Sequence, residues 1–261
     1  MSLLGDISGQ KYVPDHARIL IHGQPGTGKT TLSGTIAELG KTLYLYVAGE
    51  EGVNSLAGSP HSKNLIMHKV RNVREFEVLW SDLHKGDHAY DCVVIESVSA
   101  LQTMVKKHLL KHPMDEPYTG DRPATDFAFW GGLGDWFTDF FTFWYGLASS
   151  SANRPMHVVM TSQTKTLDDL EGDAKMQPDL HKTPLAAAIS RPDQILYTHM
   201  IRDPDDFNSQ RHVVRIKPSD KVTAKTRCDP ELSEQLPSVI GIKNTPTLPA
   251  YLREVGVAGL D

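Results

Sequence analysis

The stretch Gly23-Gln24-Pro25-Gly26-Thr27-Gly28-Lys29-Thr30 satisfies the phosphate-binding pattern G-x-x-x-x-G-K-[ST] at every position. Each residue type has a task in that chemistry. Glycines let backbone N–H groups converge on phosphate oxygens, and a helix beginning at the lysine adds a favourable dipole. Lys29 is expected to reach the β- and γ-phosphates of a nucleoside triphosphate, and the Thr30 hydroxyl to ligate Mg²⁺. Thr31, next in the chain, completes the nucleotide-binding set.

Such a site also needs acids. Val93-Val94-Ile95-Glu96 is an apolar run ending in a carboxylate, which puts Glu96 forward as the second metal-site residue beside Thr30. Aspartate is usual there, and glutamate is one methylene longer. A further acid, Glu50 or Glu51, follows the apolar run 43–47. In open α/β sheets ligands gather at the carboxyl ends of strands, so this acid could orient and deprotonate the attacking water. Guanine recognition would call for Asn-Lys-x-Asp, and neither Thr164-Lys165-Thr166-Leu167-Asp168 nor Lys243-Asn244 fits, so ATP is preferred to GTP. The scattered Arg71, Arg74, Arg122 and Arg154 form no arginine-rich kinase lid.

The elements that must hold these residues can be read from the hydrophobic pattern. Apolar runs at 17–21, 43–47, 65–70, 92–95 and 156–160 alternate with amphipathic stretches, the mark of an α/β fold with a mostly parallel sheet. Leu32, Ile36 and Leu39 recur at helical spacing, as do Val73, Phe76, Leu79 and Leu83 between a capping Asn72 and Gly86. Residues 135–147 are dense in aromatics and predict a buried helix. Residues 106–126 and 164–184 are polar and interrupted, and predict loops. Residues 194–201 and 212–217 alternate like a C-terminal β-hairpin, and a short helix is expected near Leu252.

Composition bounds the rest. The 261 residues are 39% hydrophobic, enough to bury a core, and no apolar run is long enough to cross a bilayer. The N-terminus lacks a basic start and an apolar signal core, and Cys92 and Cys228 are too few for a disulfide framework, so a cytoplasmic location is expected. The net charge of −5 excludes a wholly basic nucleic-acid coat but not a local basic groove.

Together the segments have a family likeness. Val94-Ile95-Glu96-Ser97-Val98-Ser99-Ala100-Leu101 resembles the metal-site strand of RecA-type recombinases, and Val159-Met160-Thr161-Ser162-Gln163 resembles their next strand, which ends in a sensor glutamine. Glu50 falls where those proteins keep a catalytic glutamate. Ala224-Lys225-Thr226-Arg227 is similar to the Lys-x-Arg finger of RecA-like ring helicases. The nearest likeness is to phage RecA-like P-loop ATPases of single-strand annealing and recombination, over roughly residues 17 to 230. Glu96 for aspartate and Ser162 for asparagine depart from their pattern.

The resemblance implies a RecA-like core at 17–230, preceded by a short extension at 1–16 and followed by a tail at 231–261 packed on the core. It implies Mg-ATP hydrolysis with Lys29, Glu50, Glu96, Gln163, Lys225 and Arg227 as catalytic residues. Lys225 and Arg227 would enter a neighbour's site in a homo-oligomeric ring or filament. Single-stranded DNA would bind 106–126, with Lys106, Lys107, His108, Lys111, His112 and Tyr118, and 164–184, with Lys165, Lys175, His181 and Lys182. In the second segment Asp168, Asp169, Glu171 and Asp173 would oppose phosphate. A phage single-stranded-DNA-binding protein is a candidate partner. An ATP-controlled scaffold with little turnover, or a packaging or helicase-type motor subunit, are the alternatives.

Overall fold

The computed structural model describes residues 15–50, 52–111, 127–168, 174–203, 206, 208–241 and 244–257. The phosphate motif is set between strand β1 (Arg18–Gly23) and helix α1 (Lys29–Gly34), which continues as a 3₁₀ turn over Thr35–Glu38. There follow β2 (Thr42–Val47), β3 (Leu65–Val70), α2 (Val73–Lys85), β4 (Cys92–Glu96), α3 (Val98–Lys111), α4 (Phe127–Gly146) and β5 (His157–Asp168). The last third holds β6 (Ala174–Pro178), α5 (Lys182–Ser190), β7 (Gln194–Arg202), β8 (Gln210–Arg215), β9 (Lys225–Thr226), α6 (Pro230–Gln235), β10 (Val239–Ile240) and α7 (Leu248–Glu254).

The ten strands form one sheet in the order β10-β8-β7-β1-β5-β4-β2-β3, with β6 on β5 and β9 on β7. The six strands from β7 to β3 run parallel; β6, β8, β9 and β10 pair antiparallel. Alternate residues feed two cores, as the two-residue strand period requires. Leu20, Leu45, Val93, Ile95 and Met160 pack with α2, α3 and α4 on one face. Ile19, Ile21, Tyr44, Val94 and Val159 pack with α1 and α7 on the other. The fold is thus α/β, a mostly parallel sheet covered by helices on both faces. β7 and β8 form the expected C-terminal hairpin, and α7 the short helix near Leu252.

Two loop expectations are corrected. Residues 106–111 belong to α3, because Leu101 and Val105 bury one face while Lys106 and Lys107 lie on the more exposed side. Residues 164–168 continue β5 and pair with β6, and α5 begins at Lys182. The aromatic helix starts earlier than expected, at Phe127 rather than 135. Phe137, Phe140, Phe141, Trp144 and Tyr145 are core, while Phe143 is exposed beside Trp80. Among the described residues no helix is long and apolar enough to cross a membrane.

Candidate phosphate and metal site

Register explains why residues from distant segments meet. Gly23 at the end of β1 pairs with Gln163 on β5 and Thr198 on β7, and Glu96 on β4 pairs with Tyr46 on β2. Parallel strands therefore deliver the phosphate loop, Gln163 and Glu96 to one edge of the sheet. β5 lies between β1 and β4, which places Gln163 between loop and acid.

The loop is held by its own polar groups. The Thr27 hydroxyl donates to the Gln24 carbonyl at 2.7 Å and lies 2.8 Å from the Thr198 hydroxyl. Gly28 has φ 90°, a left-handed conformation that side-chain-bearing residues rarely adopt. α1 then begins with no side-chain cap, leaving first-turn N–H groups without an intrahelical partner. Gly26, Gly28, Lys29, Thr30 and Thr31 all line one cavity of about 440 Å³.

Lys29 is buried and donates to the carbonyls of Gly23 at 2.9 Å and Gln24 at 3.0 Å, and to Gln163 Oε1 at 3.2 Å. Burial pulls its pKa below the ordinary lysine value, opposed by the charges of Glu96 and Glu50. An entering phosphate would supply further countercharge.

Thr30 donates to Glu96 Oε1 at 2.5 Å. Glu96 Oε2 accepts a hydrogen bond from Tyr44, whose hydroxyl is also 2.8 Å from that of Ser33. The longer acid is thus gripped at both oxygens. Burial raises the Glu96 pKa, and the bonds from Thr30 and Tyr44 oppose that rise. The residues fit Mg²⁺: hydroxyl and carboxylate are hard oxygen donors. Space beside them is left by Gly52, where a Cβ would lie 3.1 Å from Thr30 Oγ1.

Glu50 accepts a hydrogen bond from Ser97, the residue after Glu96. Glu51 lies outside the described residues. The Gln163 N–H donates to Ser99 Oγ at 3.0 Å, and Ser162 lies 2.9 Å from the same hydroxyl, so the end of β5 is tied to the first turn of α3. Sequence reasoning missed Tyr44, Ser33, Ser97, Ser99 and Thr198. A tyrosine inside an apolar strand is the one visible signal among them, and only strand pairing makes it a partner of Glu96.

Lysine on a glycine loop, threonine on an acid and glutamine between them are groups that suit a nucleotide's phosphates and a hard cation. A family model described as an AAA domain matches residues 15–228. The chain belongs to this family of P-loop AAA-type ATPases. No curated protein matches it.

Not every predicted residue of this P-loop ATPase is at the phosphate edge. Lys225 and Thr226 pair with Ile195 and Gln194 at the amino end of β7, three and four residues from Thr198 and thus ~10 and ~13 Å along the strand. Lys225 donates to the Ile189 carbonyl at 2.6 Å, and Arg227 lies 3.3 Å from Asp193.

The two segments considered for DNA do meet. Gln102 Oε1 accepts the His181 N–H at 2.6 Å, the His181 ring stacks on Trp130 at 3.9 Å, and Lys106 Nζ lies 4.9 Å from the Trp130 centroid. Lys165 donates to the Leu180 carbonyl beside them. His112, Tyr118, Asp169, Glu171 and Asp173, and the side chains of Lys111 and Asp168, lie outside the described residues.

Proposed function

We propose that this P-loop ATPase hydrolyses Mg-ATP as a RecA-like protein of phage recombination or annealing, assembled head to tail and bound to single-stranded DNA. The observation that carries the reading is the convergence of Lys29, Thr30, Glu96, Glu50 and Gln163 on one sheet edge. Lys29 releases its loop carbonyls to hold the β- and γ-phosphates. Thr30 and Glu96, braced by Tyr44, would hold Mg²⁺, which when bound would neutralise charge on the phosphate oxygens. Glu50 orients water and takes its proton as the water oxygen bonds to the γ-phosphorus. The bond to the bridging oxygen breaks and ADP leaves. Gln163 accepts from Lys29 through its side chain and donates from its N–H to Ser99 of α3, so its position reports the presence of the γ-phosphate to α3.

Arg227, opposite the amino end of β7, lies too far from its own loop to serve it, which favours action on a neighbouring subunit through a heterologous contact, while Lys225 is held by the end of α5. The Trp130–His181 stack, flanked by Lys106 and Lys165, supports single-stranded DNA as ligand through base stacking and phosphate attraction. Turnover of Mg-ATP tests the catalytic part. Glu50→Gln is expected to keep ATP binding and lose ~10² to 10⁴ in rate, and Lys29→Ala to lose binding. Wild-type protein that binds ATP without turnover would instead mark a nucleotide-controlled scaffold. Oligonucleotide binding should fall steeply with salt; its absence at low salt with ATP and Mg²⁺ would remove DNA from the proposal.

A further inference from the structure

The cavity over the phosphate loop extends beyond what phosphates use. Its floor is residues 26–32, and its far wall is His212 and Val214 of β8 with Thr245 and Pro246 of the segment before α7. Glu50, Glu96 and Gln163 are not part of its lining. Its volume of about 440 Å³ lies in the range of small-molecule sites.

We propose that this wall is the nucleoside subsite, with the base held between His212 and the Thr245–Pro246 segment, so that residues beyond the matched AAA domain complete the ligand site. The inference rests on the reading of Gly23–Thr31 as a triphosphate cradle. Direction follows from charge. Lys29, Gln163 and the two carboxylates mark the reacting end, so the uncharged part of the nucleotide must leave toward the other end of the cavity. That end offers apolar Val214 and Pro246, a planar imidazole and the Thr245 hydroxyl, a set suited to a flat heterocycle on a sugar.

His212 is close enough to take part. A Cβ on Gly28 would lie 3.3 Å from its Nδ1, so the imidazole stands directly over the phosphate loop. The Thr245–Pro246 segment is equally well fixed. The Leu248 N–H donates to Thr35 Oγ1 at 2.9 Å, and Thr35 donates to the Leu32 carbonyl at 2.6 Å, which ties the segment to the helix that follows the loop. Leu248 and Leu252 are buried in the same cluster as Leu32 and Ile36. On the other side a Cβ at Gly241 would lie 3.0 Å from Pro246. A bound nucleotide therefore bridges loop, β8 and tail, and secures the tail to the core.

Calorimetric binding of Mg-ATP and of Mg-bound inorganic tripolyphosphate separates the two halves of the site. His212→Ala is expected to weaken ATP about tenfold, the size of one lost base stack, and to leave tripolyphosphate unchanged. Thr245→Trp, which fills the wall, is expected to block ATP and still admit tripolyphosphate. Hydrogen exchange over residues 244–257 of the wild-type chain should slow with ATP and not with tripolyphosphate. Equal losses for both ligands, or ATP binding untouched by both substitutions, would overturn the subsite. Wild-type protein that binds neither ligand would overturn the phosphate cradle itself, and the subsite with it.

Discussion

Lys29 and Lys225 both rest on main-chain carbonyls, and the contrast between them separates a ligand site from a structural support. Lys29 lies on Gly23 and Gln24, carbonyls of the glycine-rich loop, with Glu96 and Glu50 nearby and a cavity above. Lys225 lies on Ile189 and Ser190, in the last turn of α5, where a helix leaves its carbonyls without partners. Burial lowers both pKa values, that of Lys225 to about 8. Around Lys225 the neighbouring Arg227 and Arg18 add to the fall and Asp193 opposes it. Acids favour the charged form of one lysine, whereas mostly cations surround the other. A hydrogen bond to a carbonyl therefore identifies neither role; the surrounding charge and open volume do.

The contrast is broken most severely at Arg227. Lys225 is occupied with α5, whereas the Arg227 side chain is 57% exposed and touches Asp193. If it completes a neighbour's site, Arg227→Ala should lose ~10³ to 10⁵ in turnover while keeping ATP binding. Mixed with Lys29→Ala protein it should regain activity, because some contacts then join an intact loop to an intact arginine. Mixtures no more active than either variant alone would leave Arg227 as a local partner of Asp193.

The phosphate loop was legible because its pattern is contiguous, and the sheet because its buried strands are continuous apolar runs. What escaped notice depends on pairing across the chain. Tyr44 reads as an apolar-strand residue until β2 is set beside β4, which brings its hydroxyl to Glu96. The start of α4 was hidden by Gly131, Gly132 and Gly134, which suggest a turn. At Gly134 a Cβ would lie 2.3 Å from Thr183 Cγ2, so the glycine serves close packing of α4 on α5. β6 was hidden by its polar residues, which an edge strand tolerates. The Lys225-Thr226-Arg227 segment was visible as a Lys-x-Arg pattern, but its place at the amino end of β7 was not.

His22 physically connects the two lysine regions. It precedes Gly23, lies 2.9 Å from Thr164 Oγ1, and donates from Nε2 to the Thr223 carbonyl at 2.6 Å, two residues before Lys225. Burial lowers its pKa from 6.5 to about 4, the Thr223 bond opposing the fall and the Lys29 charge adding to it. Between those values the unfolded chain takes up a proton that the folded chain refuses, so stability is lost as pH falls through that window. The loss is about 3 kcal/mol at full extent. Urea unfolding at pH 7 and at pH 4.5 should show a clearly smaller difference for His22→Phe than for wild type. Equal differences would mean that His22 titrates alike in both states.

The smallest effect tests the other lysine. A Lys225 pKa lowered from 10.5 to about 8 means that folding disfavours its charged form. Between pH 8 and 10.5 the unfolded chain still binds the proton and the folded chain has released it, so wild-type stability rises with pH there. Lys225→Met lacks that rise. At pH 7.5 the substitution also strips the Ile189 carbonyl of its donor, at a cost of about 1 kcal/mol, partly offset by removing a poorly solvated ammonium. Nucleotide binding should not change, in contrast to Lys29→Ala. The decisive measurement is the gap in unfolding free energy between wild type and Lys225→Met, which should move in favour of wild type from pH 7.5 to pH 10. A gap that stays constant would mean that Lys225 keeps its ordinary affinity for the proton, and that the cations beside it do not set its character.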